Sequence, residues 1–231
     1  MVIRLGTARL SHPVFRAIPV GFGTLRYTRS VRTQQIHTYR PLVWIALSIW
    51  AALPGCGGQR LSLQLAPETA FRDVNGKMQQ PLSGNPPATV IIFITNDCPI
   101  ANAYAPEINS MVAEYKPRGV AFWLAHVDGD LSLEDARKHA RDFGYRCPVI
   151  MDTQHMLSQA IGATVTPEAA VIDTQRRLVY RGRIDDRYID FGKKRFAPTQ
   201  RDLRAALDAV LEGLDVPCPR TRAIGCFIPD A

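Results

Sequence analysis

Acidic residues are missing from the first part of the chain, where the first aspartate or glutamate is Glu68. Residues 1–56 contain seven arginines and no lysine, which equals the formal net charge of +7 for all 231 residues. Residues 57–231 are therefore formally neutral. A basic charge that is confined to one terminal segment gives no reason to expect nucleic acid as a partner.

Long hydrophobic runs are also lacking, apart from PLVWIALSIWAAL between Pro41 and Leu53. At about 1.5 Å per residue, this run is too short to cross a hydrocarbon core of about 30 Å. Behind a basic segment it is typical of a secretory signal. We expect residues 1–56 to be a leader that directs the protein to the periplasm or the envelope membrane. Because the basic segment is long for such a signal, we expect translation to start near Val31.

The leader ends in the sequence LPGCG at residues 53–57, which resembles a bacterial lipobox. In a lipobox the cysteine is lipidated and becomes the mature N-terminus. The resemblance implies a membrane anchor at Cys56. It leaves residues 57–231 as a single domain with a cysteine-containing tail at 217–231.

Closely spaced cysteines and the motifs of common cofactors are absent from this domain. Cys98 has Ala101 where a Cys-x-x-Cys dithiol needs its second cysteine, and Asn102 where a copper-delivering Cys-x-x-x-Cys site needs it. There is no haem-attachment motif and no glycine-rich phosphate loop. His126 and Asp128 share one face of a predicted strand without further ligands, which favours a structural role. We therefore expect neither a cofactor nor a metal.

Strand and helix patterns alternate along the domain. The apolar runs at 89–95 and 120–127 predict strands that are buried on both faces. Helices are predicted from Pro99 to about 115, from a Ser132 cap to about 143, at 155–161, and from a Thr199 cap to 211. The other predicted elements are a turn at Asn75-Gly76, a strand at 149–151, and a hairpin of strands at 169–173 and 178–184. This order predicts an α/β fold with a central mixed β-sheet and helices on both faces.

Cys98 is the candidate nucleophile because it stands between a buried strand and the start of a helix. An ordinary cysteine has a pKa of about 8.5 and is mostly protonated at neutral pH. A helix N-terminus offers unpaired N–H groups and the positive end of the helix dipole, and both favour the thiolate. The alternative is that Cys98 is a small buried apolar residue.

The predicted topology brings a charged segment toward Cys98. The hairpin strand that ends near Ile184 returns to the sheet edge where the parallel strands end. Arg183 could there hold the thiolate or a peroxide oxygen by charge-assisted hydrogen bonds. Asp185 and Asp186 are expected to face the substrate, and the alternative for this charged run is a solvated strand end.

Four short sequences resemble a bacterial redoxin family that is related to the AhpC/TSA peroxiredoxins within the thioredoxin-like superfamily. They are NDCP at 96–99, YAPE at 104–107, TPE at 166–168 and YRGRIDD at 180–186. The resemblance covers roughly residues 61–228 and implies a thioredoxin-like fold. It also implies that Thr166-Pro167 contains a cis-proline facing Cys98, so that Pro99, Thr166 and Pro167 border the substrate.

Peroxide reduction is the reaction we favour from the sequence, with Cys98, Thr95 and Arg183 as its catalytic residues. Peroxiredoxins have Pro-x-x-x-Thr-x-x-Cys, and this chain has Thr95 but Ile91 in place of the proline. The expected partners are a peroxide or a protein disulfide, and an external thiol reductant. The alternatives are single-cysteine thiol–disulfide exchange and a binding module without catalysis.

The cysteines of the tail allow two interpretations. Cys218 and Cys226 could form a structural disulfide, or Cys226 could resolve an oxidised Cys98. Of these the structural disulfide is preferred. Cys147 is expected to be a buried cysteine without a role in the reaction.

Overall fold

The computed structural model describes residues 61–228, all within one compact unit. The predicted leader, the lipobox and the start near Val31 lie outside the described residues and remain predictions. The helices are α1 (Pro99–Ala103), α2 (Ala105–Tyr115), α3 (Leu133–Asp142), α4 (Met156–Ile161) and α5 (Asp202–Leu211), with a 3₁₀ turn at Lys116–Arg118. The strands are β1 (Leu61–Ser62), β2 (Phe71–Arg72), β3 (Met78–Gln79), β4 (Ala88–Ile94), β5 (Ala121–His126), β6 (Val149–Met151), β7 (Val165–Thr166), β8 (Glu168–Asp173), β9 (Arg177–Gly182), β10 (Tyr188–Asp190), β11 (Lys193–Lys194) and β12 (Cys226–Phe227).

Six strands form the central sheet in the order β1-β9-β8-β4-β5-β6. Strands β4, β5 and β6 are parallel, whereas β8 runs antiparallel to β4 and β9 antiparallel to β8. Every residue of β4 is buried, as its unbroken apolar sequence predicts for a central strand. The predicted mixed sheet is confirmed.

Alternate side chains of β4 enter two separate cores. Ile92 packs on one face with residues of α2 and α5, while Phe93 packs on the other face with residues of α4. This division follows from the two-residue repeat of a β-strand. It confirms that helices cover both faces of the sheet.

The first predicted helix is divided in two at Tyr104. Helix α1 ends at Ala103 and α2 begins at Ala105, with Pro106 in its first turn. Proline has no N–H for a helical hydrogen bond and clashes with the preceding turn, so a single helix cannot continue through this point. The division leaves Cys98 at the start of a helix of only five residues.

Two of the predicted turn and cap signals have the expected geometry. Gly76 has φ +86° in the turn between β2 and β3. The hydroxyl of Ser132 accepts a hydrogen bond from the Asp135 amide at 3.1 Å at the start of α3. The predicted Thr199 cap is wrong, because the Thr199 hydroxyl donates to the carboxylate of Asp186 and α5 begins later.

No helix among residues 61–228 is both long enough and apolar enough to cross a membrane.

Candidate active site

Cys98 lies at the N-cap of α1, just after the central strand β4. Its side chain is 0% exposed. The sulfur accepts a hydrogen bond from the Ala101 amide at 3.4 Å, which is one of the unpaired donors at the helix start. Pro99 follows at the first helical position and is exposed. The predicted position of Cys98 is therefore the observed one.

The loop before β8 approaches Cys98 from the opposite side. The Thr166–Pro167 peptide bond is cis, and both residues are buried. The thiol of Cys98 donates to the Thr166 carbonyl at 3.0 Å. The hydroxyl of Thr166 is 3.0 Å from that of Thr95. Among the described residues, Thr95 therefore contacts Thr166, and it is Thr166 that contacts Cys98.

The C-terminal strand β12 forms the third side of the site. It pairs antiparallel with β7, and Cys226 lies opposite Thr166. Hydrogen bonding by the amide and the thiol of Cys226 is one cause that lowers the pKa of Cys98. Because Cys226 has a free thiol, the preferred interpretation of a Cys218–Cys226 disulfide is wrong.

The backbone at Gly225 allows this approach. A Cβ at Gly225 would lie 1.9 Å from the Thr166 carbonyl oxygen, so a residue with a side chain cannot lie there without displacing one of the two segments. We did not identify Gly225 as a site residue from the sequence. In the sequence, only its place directly before Cys226 points to such a role.

The pKa values of the two cysteines shift in opposite directions. Burial alone would raise the pKa of Cys98, but hydrogen bonds from Ala101, Cys226 and Thr166 hold it below its ordinary value. Burial, the hydrogen bond to Cys98 and the negative charge on Cys98 raise the pKa of Cys226 to about 12. The shifts make Cys98 the more readily ionised of the two thiols and keep Cys226 protonated, as in other sites where a cysteine is activated by neighbouring donors.

Arg183 does not lie where its predicted role requires. Its guanidinium donates to the Asp202 carboxylate at 2.7 Å and to the Gln200 side-chain oxygen at 2.6 Å. The reason is that β9 ends at Gly182, whose φ is +154°, so strand alternation no longer directs the residues that follow. Arg183 therefore has a structural role, because it binds Asp202 at the start of α5.

Asp185 and Asp186 are also turned inward rather than toward a substrate. Asp185 is buried and accepts a hydrogen bond from the Tyr104 hydroxyl at 2.5 Å. Asp186 accepts from the amides of Thr199 and Gln200 at 2.6 and 2.9 Å. Both carboxylates hold loops in place, which the sequence did not reveal because a charged run is usually solvated.

The Tyr104–Asp185 contact is a supporting feature that the sequence analysis missed. Tyr104 follows the helix that begins at Cys98, and the guanidinium of Arg187 lies 5.4 Å from the centre of its ring. Burial and the Asp185 carboxylate raise the pKa of Tyr104, so it remains a hydrogen-bond donor. This contact ties the end of α1 to the segment after β9.

Two other candidates lie outside the reactive cluster. Cys147 has a free thiol whose pKa burial raises to about 12, which leaves it protonated. His126 contacts the Asp128 carboxylate at 3.0 Å. Within residues 61–228, no group of three histidine, cysteine or acidic side chains is arranged to hold a metal ion.

Comparisons with known proteins place these features in a family. The family model described as Redoxin matches residues 66–190, while a comparison with the curated proteins found no match. A solved hypothetical protein of Sinorhizobium meliloti 1021 is 30% identical, with a TM-score of 0.64 over 74% of this chain and 95% of that one. An uncharacterized conserved protein of Geobacillus kaustophilus is also 30% identical, with a TM-score of 0.62 over 76% of this chain and 100% of that one.

A third solved structure, of a candidate thioredoxin from Neisseria meningitidis, shares the fold. It is 22% identical, with a TM-score of 0.50 over 65% of this chain and 91% of that one. The expected family resemblance is thus confirmed, and it supports a thiol oxidoreductase type of function. The chain belongs to the redoxin family and has a thioredoxin-like fold.

Proposed function

We propose that this protein is a thiol–disulfide oxidoreductase in which Cys98 and Cys226 form one redox couple. The observation that supports this most directly is the position of Cys226 opposite Thr166, the residue whose carbonyl accepts a hydrogen bond from the Cys98 thiol at 3.0 Å. This position puts a second thiol beside the sulfur that reacts first. Cys226 is then the resolving cysteine, the interpretation that the sequence left second.

The reaction would take place in two exchange steps. The Cys98 thiolate attacks a sulfur of the substrate disulfide, the disulfide bond breaks as a Cys98–substrate bond forms, and the first substrate sulfur leaves as a thiolate that takes a proton from water. Cys226 then attacks the Cys98 sulfur and releases the second substrate thiol. Two electrons pass to the substrate and the chain is left with a Cys98–Cys226 disulfide. An external dithiol reduces that disulfide and completes the cycle.

The opposite pKa shifts favour this order of events. The lowered pKa of Cys98 favours its thiolate over that of Cys226, so Cys98 attacks first. The negative charge on Cys98 is one cause of the raised pKa of Cys226. That charge disappears when Cys98 enters a mixed disulfide, so the pKa of Cys226 falls when it has to act as a nucleophile.

Peroxide reduction is the second candidate, and the burial of Cys98 favours it because a small oxidant needs the least access. The Cys98 thiolate would attack a peroxide oxygen and form a sulfenic acid, with an alcohol or water as the leaving product. Cys226 would then form the disulfide and release water. The Thr166 hydroxyl, which the Thr95 hydroxyl contacts at 3.0 Å, would take the place of Arg183 as the polar side-chain group near the sulfur, since Arg183 is bound to Asp202.

We further propose that the reaction takes place outside the cytoplasm, with the protein on the envelope membrane through a lipid on Cys56. This proposal is based on the leader and lipobox sequences. Membrane fractionation of cells expressing the full chain or its Cys56→Ser variant tests it. Release of the variant alone from the membrane fraction is the expected result, and equal distribution of the two contradicts it.

Titration of the reduced protein with oxidised glutathione or with hydrogen peroxide, followed by peptide mapping, tests the redox couple. We expect a Cys98–Cys226 disulfide with oxidised glutathione, and a stable Cys98–glutathione adduct in the Cys226→Ser variant. Cys147→Ser is the matched control and should behave as the wild type. Oxidation by peroxide alone would favour the second candidate. An inert Cys98 in both titrations would leave only a binding module.

A further inference from the structure

The C-terminal strand covers the reactive sulfur with the chain's own backbone. Cys98 is 0% exposed, and β12 lies along β7 next to it. We call residues 225–228 the strap. If the proposed function holds, we propose that the strap occupies the strand edge that a polypeptide disulfide needs, so that a protein substrate reaches Cys98 only when the strap leaves.

The strap is held mainly by its backbone. Cys226 is paired with Thr166 and Phe227 with Val165. The Ile228 amide donates to the Thr164 carbonyl at 3.0 Å. These are the hydrogen bonds by which an added β-strand attaches to an exposed edge. The strap therefore uses the polar groups of the 164–166 segment that any other strand would need.

Side-chain burial holds the strap at one point. Ile228 is 5% exposed and belongs to the buried cluster that contains Phe93 and Ile161. Phe227, in contrast, is 78% exposed. A short strand with a single buried apolar anchor belongs to the low end of local stability in a folded protein. It can therefore open while the six-stranded sheet remains intact.

The occupant that fits the vacated edge is an extended polypeptide segment with a disulfide-bonded cysteine. Its cysteine would take the position of Cys226 opposite Thr166, where a sulfur lies beside Cys98. When the strap returns, it displaces this segment and brings the Cys226 thiol to the mixed disulfide. The return of the strap would then both resolve the mixed disulfide and displace the substrate strand.

The alkylation rate of Cys98 in the full-length chain measures the opening of the strap directly. The parent protein is the Cys226→Ser variant, which cannot form the intramolecular disulfide and keeps a hydroxyl at that position. We compare Ile228→Ala with Phe227→Ala, a matched control on the same strand whose side chain is exposed. Iodoacetamide at neutral pH is the reagent, and peptide mapping assigns the modified cysteine.

We expect Ile228→Ala to increase the alkylation rate of Cys98 at least tenfold, and Phe227→Ala to stay within twofold of the parent. Equal alkylation rates of Cys98 in the parent and in Ile228→Ala would contradict the proposal that the strap blocks access. A measurable rate in both would still agree with the proposed function. A Cys98 that reacts in none of the folded variants, but reacts in denaturant, would overturn the proposed function itself.

A second variant loosens the strap without removing its apolar anchor. Gly225→Ala introduces a Cβ that would lie 1.9 Å from the Thr166 carbonyl oxygen, so the strap must shift away. Circular dichroism of each variant verifies that the sheet is retained. A folded Gly225→Ala protein should also be alkylated at least tenfold faster than the parent, and an unchanged rate would contradict the proposal even if Ile228→Ala fails to fold.

Discussion

Hydrogen bonding by Cys226 helps to hold the pKa of the Cys98 thiol below its ordinary value, although the two residues are far apart in the sequence. The contact depends on the pairing of β12 with β7, which places Cys226 opposite Thr166. It gives the two thiols opposite pKa shifts and a short path to a common disulfide.

Removal of the Cys226 thiol should raise the pKa of Cys98. In Cys226→Ala the Cys98 sulfur loses one of the donors that stabilise its thiolate. The pH at which the alkylation rate of Cys98 reaches half its maximum, which we call the midpoint, should therefore move upward. The midpoint, rather than the rate, is the measurement because it does not depend on access. Cys226→Ser keeps a hydroxyl donor and should show a smaller shift. An unchanged midpoint in Cys226→Ala would rule out the hydrogen bond as a cause.

Replacement of Arg183 should lower the stability of the protein and leave the pKa of Cys98 unchanged. Arg183→Met removes the partner of the largely buried Asp202 carboxylate, which should lower the free energy of unfolding by about 1–3 kcal/mol. Because the guanidinium does not contact Cys98, its alkylation midpoint should stay the same. Urea denaturation and alkylation test the two parts. Thr166→Val, which removes a donor to the sulfur, is the comparison that should move the midpoint upward.

Acidification should destabilise the protein through His139. Burial, together with the nearby His126, lowers the pKa of His139 to about 4 from an ordinary value of 6.5. Between these two pH values the unfolded chain binds the proton and the folded protein does not. Stability should therefore fall as the pH decreases from 6.5 to 4, by roughly 3 kcal/mol from this residue.

The His139→Gln variant isolates that effect. A glutamine amide can still donate to the side-chain oxygen of Asn102, which the ring nitrogen of His139 contacts at 2.8 Å. Urea denaturation at several pH values should show a weaker loss of stability on acidification in the variant. The same loss in both proteins would contradict the assignment to His139.

Substitution of Gly182 should be costly because the tail packs directly on it. A Cβ at this position would lie 2.1 Å from the Thr221 hydroxyl oxygen and 2.4 Å from the Thr221 carbonyl oxygen. We expect Gly182→Ala to lower the free energy of unfolding by about 2–4 kcal/mol.

Gly76→Ala is the control for backbone conformation alone. Gly76 has φ +86° and no atom within 4 Å of an added Cβ, so the expected loss is about 1 kcal/mol. Equal losses in the two variants, measured by urea denaturation, would mean that Thr221 does not constrain Gly182.

Local patterns were sufficient for most of the elements around the site. The apolar run at 89–95 predicted the central strand, and Pro99 predicted the helix start that follows it. The interruption at Tyr104 is also local in origin, since Pro106 forbids a continuous helix there. Apolar residues at three- and four-residue spacing from Ile100 to Tyr115 continue through both helices and therefore predict a single one.

Side-chain directions beyond the ends of strands could not be predicted in the same way. Arg183, Asp185 and Asp186 are predicted at the site because a strand that ends near Ile184 would return to the sheet edge near Cys98. The strand ends at Gly182, and the three side chains instead bind Asp202, Tyr104 and the loop before α5. No repeat in the sequence marks that change of direction.

The sequence by itself determined the mixed sheet and the position of Cys98 at a helix start, because alternation, apolar runs and proline act over a few neighbouring residues. Only the tertiary structure decided which thiol lies beside Cys98. That choice depends on the path of the tail across Gly182 and along β7, where contacts between distant segments are set by packing and backbone pairing. Such contacts leave no periodic pattern in the sequence, so the sequence offers Cys226 as one of two alternatives and the fold decides between them.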